Sequence, residues 1–228
     1  MNEFDQKASQ WDAKPVRVER AQAVADGITA AVPLSPHMTA LEYGCGTGLL
    51  SFALRPQLGH ITLADSSTGM LAVLREKIAA ADIQNTCTAH AQRASAALRR
   101  TGRTAYSAGM TPLQLDLSAD PLPAERFQLI YTLLTLHHIP DTDRMLRAFY
   151  QLLDAPGHLC VADLDKEDGT FHEGEFHGHP GFDRDELDAK ARQAGFQSIR
   201  FTTVFHMIKD VNGVSKDFPI FLMVAAKS

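Results

Sequence analysis

Three glycines stand at alternate positions directly after an apolar run, in the stretch LEYGCGTGLLS at residues 41–51. Glycine adopts backbone conformations with positive φ and lets a ligand approach the main chain closely. A dinucleotide-binding loop has the spacing G-x-G-x-x-G, which would require a glycine at Leu49, and a P-loop ends in Lys followed by Ser or Thr. The sequence has neither feature, which weakens both nucleotide interpretations. The residues around Gly44, Gly46 and Gly48 must therefore identify the ligand.

Three acidic residues lie at equivalent positions, one near the end of each of three predicted strands. Glu42 precedes the glycines, where an anion would repel a pyrophosphate but would suit a positively charged ligand. Asp65 ends the second strand, where a carboxylate can accept two hydrogen bonds from a ribose diol. Asp116 ends the third strand, where it can accept from an amino group such as the exocyclic nitrogen of adenine. Because such strand ends border the ligand crevice of a parallel sheet, the acids predict a pocket for an adenosine that carries a cation.

Histidines are a second set of candidates for chemistry. His137 and His138 precede a predicted helix; one of them could act as a base or contact a substrate, and capping or core packing is the alternative. The stretch at residues 163–182 contains side chains that could bind a metal, namely Asp163, Asp165, Asp168, His172, His177 and His179. Its aspartates miss the calcium-loop template because Gly169 comes one position too late. We expect a solvated acidic loop with exposed histidines and assign no metal.

The elements that position these residues alternate between short apolar runs and amphipathic helices. Strands are predicted at TALEY, HITLAD, TPLQLDL, FQLIYTLL and HLCVADL, and then at SIRFTTVFHMI and FPIFLMVAA, with the turn DVNGVSKD between the last two. Ser66 or Ser67 can cap one helix, and a helix capped by Asp183 ends at Gly195. The alternation predicts an α/β fold with a doubly wound parallel sheet and an antiparallel hairpin at one edge.

One domain, residues 1–228, accommodates all of these elements. The segment at residues 85–109 is rich in Ala, Arg, Thr and Ser and lengthens one connection well beyond the usual few residues. We predict that this segment is a surface insertion.

Composition restricts the class of protein and of partner. The chain has 228 residues, of which 45% are hydrophobic and 21% charged, as is typical of a globular protein. The formal net charge of −5 disfavours a nucleic-acid partner. Three cysteines without paired spacing, the lack of a signal-peptide pattern and the lack of a run of roughly 20 apolar residues predict a cytoplasmic protein with no membrane partner.

The combined motifs LEYGCGTG, ITLADSSTGML, LQLDL, LIYTLLTLHHIPD, GHLCVADLDKED and GFDRDELDAKARQAGF cover nearly the whole chain. In this order and spacing the chain resembles the class I S-adenosylmethionine-dependent methyltransferases, in particular the small-molecule methyltransferases of types 11 and 12. The resemblance implies a Rossmann-like sheet of seven strands with an antiparallel last strand. It also implies S-adenosylmethionine as the cofactor and N-terminal cover helices at residues 1–35.

The resemblance assigns a role to each candidate binding residue. Gly44, Gly46 and Gly48 would pack against the methionine portion and the sugar, Asp65 would hold the ribose hydroxyls, and Glu42 would act through the amino group or ordered water. The other assignments are Ser66 and Met70 beside the adenine, Asp116 and Leu117 along the adenine ring, Tyr131 and Thr132 near the methionine moiety, and Phe4 and Trp11 closing over the cofactor.

The function that follows from the resemblance is methyl transfer to a small-molecule acceptor that the sequence does not identify. Methyl transfer from a sulfonium needs alignment of the two reactants and exclusion of water more than it needs a catalytic side chain. Two alternatives stay open. The protein could be a non-catalytic sensor or scaffold that binds the cofactor or its product, or it could be a nicotinamide-dependent oxidoreductase.

Overall fold

The computed structural model describes residues 3–81, 83, 109–172, 174 and 176–228. The helices are α1 (Glu3–Lys7), α2 (Pro15–Ala31), α3 (Leu49–Leu54), α4 (Thr68–Ala80), α5 (Thr142–Leu152) and α6 (Arg184–Gln193), with 3-10 turns at Ala8–Ala13, Arg55–Gln57 and Leu136–His138. The strands are β1 (Thr39–Tyr43), β2 (His60–Asp65), β3 (Gly109–Gln114), β4 (Phe127–Leu133), β5 (Leu153–Leu164), β6 (Gln197–Val211) and β7 (Val214–Lys227).

All seven strands form one sheet in the order β3-β2-β1-β4-β5-β7-β6. The first five strands in this order are parallel, whereas β7 runs antiparallel to β5 and pairs with β6 in a hairpin. The order reverses between β1 and β4, which is the position where ligands bind in open α/β sheets. The predicted doubly wound, seven-stranded sheet with an antiparallel edge is confirmed.

The core lies on both faces of the sheet. Side chains of α2, α3 and α4 pack on one face, and those of α5 and α6 pack on the other. Side chains along β4 alternate between the two faces of the sheet. Tyr131 packs in the cluster with α2, α3 and α4, and Ile130 packs in the cluster with α5 and α6. The described part of the chain contains no helix that is long and apolar enough to cross a membrane.

Several strand boundaries differ from the predicted ones, and β5 begins at Leu153 rather than at His158. β3 ends at Gln114, so Asp116 lies two residues beyond the strand rather than within it. The amide of Leu115 still bonds the carbonyl of Asp65, after which the chain turns through Asp116. In the terminal hairpin only Asn212 and Gly213 form the turn, with φ of 54° and 81°. Positive φ at both central residues is typical of a tight two-residue hairpin turn, which lets the strands extend into the predicted turn.

The helix caps agree with the predicted ones. Ser67 caps α4 by accepting a hydrogen bond from the amide of Met70, and Asp183 caps α6 by accepting from the next helical amides. The insertion predicted at residues 85–109 lies outside the described residues, apart from Gly109, at which β3 begins.

Candidate functional site

The glycine loop connects β1 to α3, and its three glycines have φ of 70°, 53° and 82°. Packing within the protein explains two of them. A Cβ on Gly44 would lie 2.2 Å from Thr135 Cγ2, and one on Gly48 would lie 2.7 Å from Leu74 Cδ1. Among the described residues, a Cβ on Gly46 would meet only Met70 Sδ, at 3.9 Å. Gly46 is therefore the glycine of this loop whose missing side chain leaves open space rather than room for a protein neighbour.

Asp65, at the end of β2, joins the glycine loop to the start of α4. One carboxylate oxygen accepts from the amide of Gly46 at 2.7 Å, and the other accepts from the amide of Ser67 at 2.8 Å. Burial raises the pKa of this carboxyl, and backbone hydrogen bonds from Ser67, Gly46 and Ser66 oppose that shift. A carboxylate has about four acceptor positions, so further donors can still bind here.

Glu42 is 2% exposed and lies under α3. Its carboxyl accepts from the amide of Ser51 at 3.2 Å and from the Ser51 hydroxyl, which also bonds the Tyr131 hydroxyl at 2.6 Å. Burial raises the pKa of Glu42 to about 8, although the hydrogen bonds from Ser51 lower it. The protein therefore holds a largely protonated carboxyl at neutral pH beside the glycine loop, and a nearby cation would favour its ionised form.

The other predicted binding residues lie around the same strand ends. Ser66 is exposed, Met70 is buried at the start of α4, and Asp116 is half-buried, with its carboxylate accepting from the amide of Ser118. The amide of Leu117 donates to the hydroxyl of Tyr43 at 3.0 Å, which fixes this residue near the end of β1.

Tyr131 and Thr132 follow one another in β4, and their side chains point to opposite faces of the sheet. Tyr131 contacts Ser51, as described above. The Oγ1 of Thr132 is buried and has no hydrogen-bond partner within the described part of the chain. The two residues therefore have different surroundings, a distinction that their shared position at a strand end did not predict.

Residues 3–13, hereafter the cover segment, are attached to the site through two aspartates that the sequence analysis did not identify. Asp5 accepts from the hydroxyl of Ser67 at 2.6 Å and from the amide of Gly69 at 2.9 Å. Asp12 accepts from the hydroxyl of Thr47 and forms an ion pair with Lys77 at 2.6 Å. These contacts connect the cover segment to both the glycine loop and α4. Nothing in the spacing of Asp5 and Asp12 indicates this role.

The aromatic side chains of the cover segment make different contacts. The guanidinium of Arg17 lies 3.6 Å from the centre of the Trp11 ring, so part of that ring is covered by the protein itself. Phe4 packs edge-on against Trp11, with ring centres 6.0 Å apart, and against His138, with ring centres 5.4 Å apart. The cover segment thus spans the strand ends from the glycine loop to the turn after β4.

His137 is 1% exposed and bonds to a carboxylate that is also buried. Its Nδ1 lies 2.6 Å from Oδ1 of Asp163, and its amide donates to the other oxygen of Asp163 at 3.2 Å. An ionised Asp163 can only accept, so Nδ1 is assigned as the donor, which leaves Nε2 as the nitrogen that faces a different partner. The sequence had placed Asp163 in a loop with other acids, not beside this histidine.

The expectation of a solvated loop with exposed histidines is wrong for several residues of that stretch. Asp163 is completely buried, and His172 is half-buried because it packs against the rings of His137 and Phe176. His179, also half-buried, is held near the carbonyl of Ile139. The two remaining aspartates each form an ion pair with a different basic residue: Asp165 binds Arg184, and Asp168 binds Lys216.

The chain matches the methyltransferase domain family over residues 16–207. It is also similar to an uncharacterized methyltransferase of Schizosaccharomyces pombe, with 31% identity over 135 residues, or 59% of this chain. The chain spans less than half of that curated relative, because the aligned part covers 42% of the yeast protein.

Solved structures share the fold at low sequence identity. A chain from the complex between the Haloferax volcanii Trm112 methyltransferase activator and a methyltransferase superposes with a TM-score of 0.70, at 16% identity over 99% of this chain and 98% of that one. A methyltransferase of Bacillus halodurans gives a TM-score of 0.66 at 15% identity, covering 89% of this chain and 97% of its own. Haemonchus contortus phosphoethanolamine N-methyltransferase 2, in complex with S-adenosyl-L-methionine, gives 0.64 at 14% identity over 100% of this chain and 60% of its own.

The match extends over most of the chain and includes the glycine loop and the ends of β1, β2, β3 and β4. The chain therefore belongs to the methyltransferase domain family and has the fold of the class I S-adenosylmethionine-dependent methyltransferases.

Proposed function

We propose that this protein transfers the methyl group of S-adenosylmethionine to a small-molecule acceptor. The observation that carries the proposal is the arrangement of Gly46 and Asp65. The backbone at Gly46 is open on the side where a side chain would stand, and its amide binds the carboxylate at the end of the next strand. This arrangement lies at the reversal of strand order, where a nucleoside can contact bare backbone and a carboxylate together.

The residues of the site fit the cofactor in charge as well as in shape. Asp65 would accept from the ribose hydroxyls with the acceptor positions that its two amide donors leave available. Burial raises the pKa of Glu42, and a cationic ligand beside it would favour the ionised carboxylate. The resulting pair of opposite charges would stabilise the bound ligand. Ser66 and Met70 would border the adenine together with Asp116 and Leu117.

The cofactor, when bound, supplies a methyl group on a good leaving group. The protein's own contribution is to hold and enclose the reactants. Asp5 and Asp12 fasten the cover segment to the glycine loop and to α4, which would keep water away from the ligand. The buried Thr132 hydroxyl, which has no partner among the described residues, would bond the methionine portion or the acceptor.

Affinity and turnover test different parts of the proposal. Isothermal titration with S-adenosylhomocysteine and with NAD⁺ should show binding of the first and not of the second. The reverse result would favour an oxidoreductase and would contradict the cofactor assignment.

Transfer of label from methyl-labelled S-adenosylmethionine to a panel of small hydroxyl, amine and thiol compounds then tests catalysis. We expect label in at least one compound and none in a control without protein. Tight binding with no transfer to any compound of a broad panel would favour the non-catalytic sensor instead.

A further inference from the structure

Three histidine rings meet where the turn after β4 faces the loop after β5. His137 and His138 lie on the 3-10 turn at Leu136–His138, and His172 is contributed from 34 positions further along the chain. One ring nitrogen from each histidine lies within 4.8 Å of the corresponding nitrogens of the other two. The ring centres of His137 and His138 are 4.1 Å apart, and His172 lies 5.2 Å and 5.4 Å from them. We call this set the histidine cluster.

The orientation of His137 is that of a metal ligand. Its Nδ1 is bound to Asp163, which is itself held by the amides of His137 and Leu164. The opposite nitrogen, Nε2, is buried and has no hydrogen-bond partner among the residues that the structure describes. Metal-binding histidines use this arrangement, in which a carboxylate fixes the ring and the other nitrogen keeps its lone pair for the ion. Burying a ring nitrogen without a hydrogen-bond partner costs free energy, so packing in the core alone does not explain this position of His137.

Aromatic side chains surround the cluster and restrict its rings. Phe176 stacks on His172 with ring centres 3.6 Å apart and an angle of 12° between the planes. Phe171 packs edge-on against His137 and His172, and Phe4 packs edge-on against His138. These contacts place the three rings among aromatic neighbours.

The spacing of the nitrogens suits a small ion. Nitrogens bound to zinc at about 2.0–2.1 Å in a tetrahedral site lie roughly 3.3 Å apart. Because the nitrogens lie within 4.8 Å of one another, rotations of the rings that shorten their separations by up to about 1.5 Å would reach this geometry. Three imidazoles with a fourth position open are typical of zinc sites that keep a water or a substrate atom as the last ligand.

We propose that His137, His138 and His172 bind one divalent transition-metal ion of the zinc class, with Asp163 as the carboxylate that orients His137. Because His138 contacts the cover segment through Phe4, the open position of the ion would face the region that the cover segment encloses. An oxygen, nitrogen or sulfur atom of an acceptor could occupy that position. The metal site goes beyond the proposed function, and its test contains no methyl donor.

The test uses the full chain produced without a histidine tag and freed of metal by a chelator. Zn²⁺ titrated in competition with a chromophoric chelator should bind at one equivalent per chain. Co²⁺ should give the visible absorption of a four- or five-coordinate ion, and Zn²⁺ should abolish it. If the wild-type chain binds no Zn²⁺ above the level of its H172A variant, the proposal is wrong.

The variant His172→Ala removes one ligand from a partly exposed loop. We expect its Zn²⁺ affinity to fall at least about 100-fold, since loss of an outer-shell partner alone commonly costs 10- to 100-fold. His206→Ala is the matched control, because this histidine pairs with Asp217 on the hairpin and lies outside the cluster. It should bind Zn²⁺ as the wild-type chain does. An equal loss in both variants would show that the ion binds surface histidines and would overturn the proposal.

A melting curve without metal separates loss of a ligand from loss of the fold. Without metal, H172A should melt near the wild-type temperature. Zn²⁺ should raise the melting temperature of the wild-type chain but not that of H172A. If H172A does not fold, His138→Ala serves as the second variant, with the same loss of affinity expected. Unchanged Zn²⁺ affinity in a folded variant of either kind would contradict the assignment.

Discussion

The glycine-loop site and the histidine cluster lie at the same edge of the sheet but are constructed differently. In the glycine-loop site each important residue stands at or just beyond the end of its own strand, so parallel strands bring Glu42 and Asp65 together through topology alone. In the histidine cluster Asp163 reaches His137 because β5 pairs with β4, but His172 reaches it only because a long loop folds back over the turn after β4. The first site follows from local patterns, whereas the second depends on tertiary packing.

The two sites therefore provide different evidence for function, the first from sequence motifs and the second from the tertiary structure. A site formed by strand ends can be identified from motifs, and it determines the class of cofactor. A site formed by a returning loop varies more freely between proteins that share the fold, and it is a suitable place to determine the acceptor. Variants that act on one site and not on the other test whether the two are separable.

The largest effect is expected for Gly44→Ala. The new Cβ would lie 2.2 Å from Thr135 Cγ2 at a residue with φ of 70°. Overpacking costs about 1–3 kcal/mol and the left-handed conformation costs about 1–2 kcal/mol, so we expect a loss of about 2–5 kcal/mol in the free energy of unfolding. Urea denaturation measures this loss.

Gly46→Ala is the matched control for Gly44→Ala, since Gly46 has positive φ but no close neighbour among the residues that the structure describes. It should lose about 1–2 kcal/mol of stability and, in addition, affinity for S-adenosylhomocysteine. Equal stability of the two alanine variants would show that contact with Thr135 does not explain the glycine at residue 44.

Asp65→Ala should weaken the binding of S-adenosylhomocysteine by about 1.5–3 kcal/mol, because a hydrogen bond to a charged group is lost. Isothermal titration calorimetry measures the change. Asp188→Ala is the control, because this carboxylate pairs with Arg192 on the surface of α6. Zn²⁺ affinity should be unchanged in both variants. Unaltered cofactor affinity in Asp65→Ala would contradict the ribose assignment.

Glu42 should make the stability of the ligand-free protein depend on pH. Its pKa is about 8 in the folded chain and near 4.5 when unfolded, so the folded state binds more protons between these values. The free energy of unfolding should therefore fall as the pH rises from about 4.5 to 8, by at most about 1.4 kcal/mol per pH unit.

Glu42→Gln should flatten this dependence, because an amide keeps the shape of the side chain but cannot ionise. Chemical denaturation at a series of pH values compares the two proteins. The same slope in both would assign the pH dependence to another group.

The smallest effect is expected for Asp12→Ala. Its ion pair with Lys77 is partly exposed, and such pairs contribute about 0.2–1 kcal/mol. The variant should lose no more than about 1 kcal/mol of global stability, but hydrogen exchange should become faster in the cover segment. Exchange that is unchanged there would show that Asp12 does not fasten the segment.

The sequence predicted the order of strands and helices well because periodicity and caps are local properties. Ser67 and Asp183 cap their helices as expected. The end of β3 was predicted too late, since its limit depends on pairing with β2 rather than on the residues of the strand. The roles of Asp5 and Asp12 could not be predicted, because their partners Ser67 and Lys77 are more than 60 positions away.

The sequence by itself determined the methyltransferase fold and the candidate cofactor residues. Glycines and acids at strand ends must converge once the strands are parallel. Only the tertiary structure decided which glycine faces open space, that Glu42 lies buried beneath α3, and that His172 reaches His137. These features depend on contacts between distant side chains, whose energies come from burial and packing that no local pattern encodes.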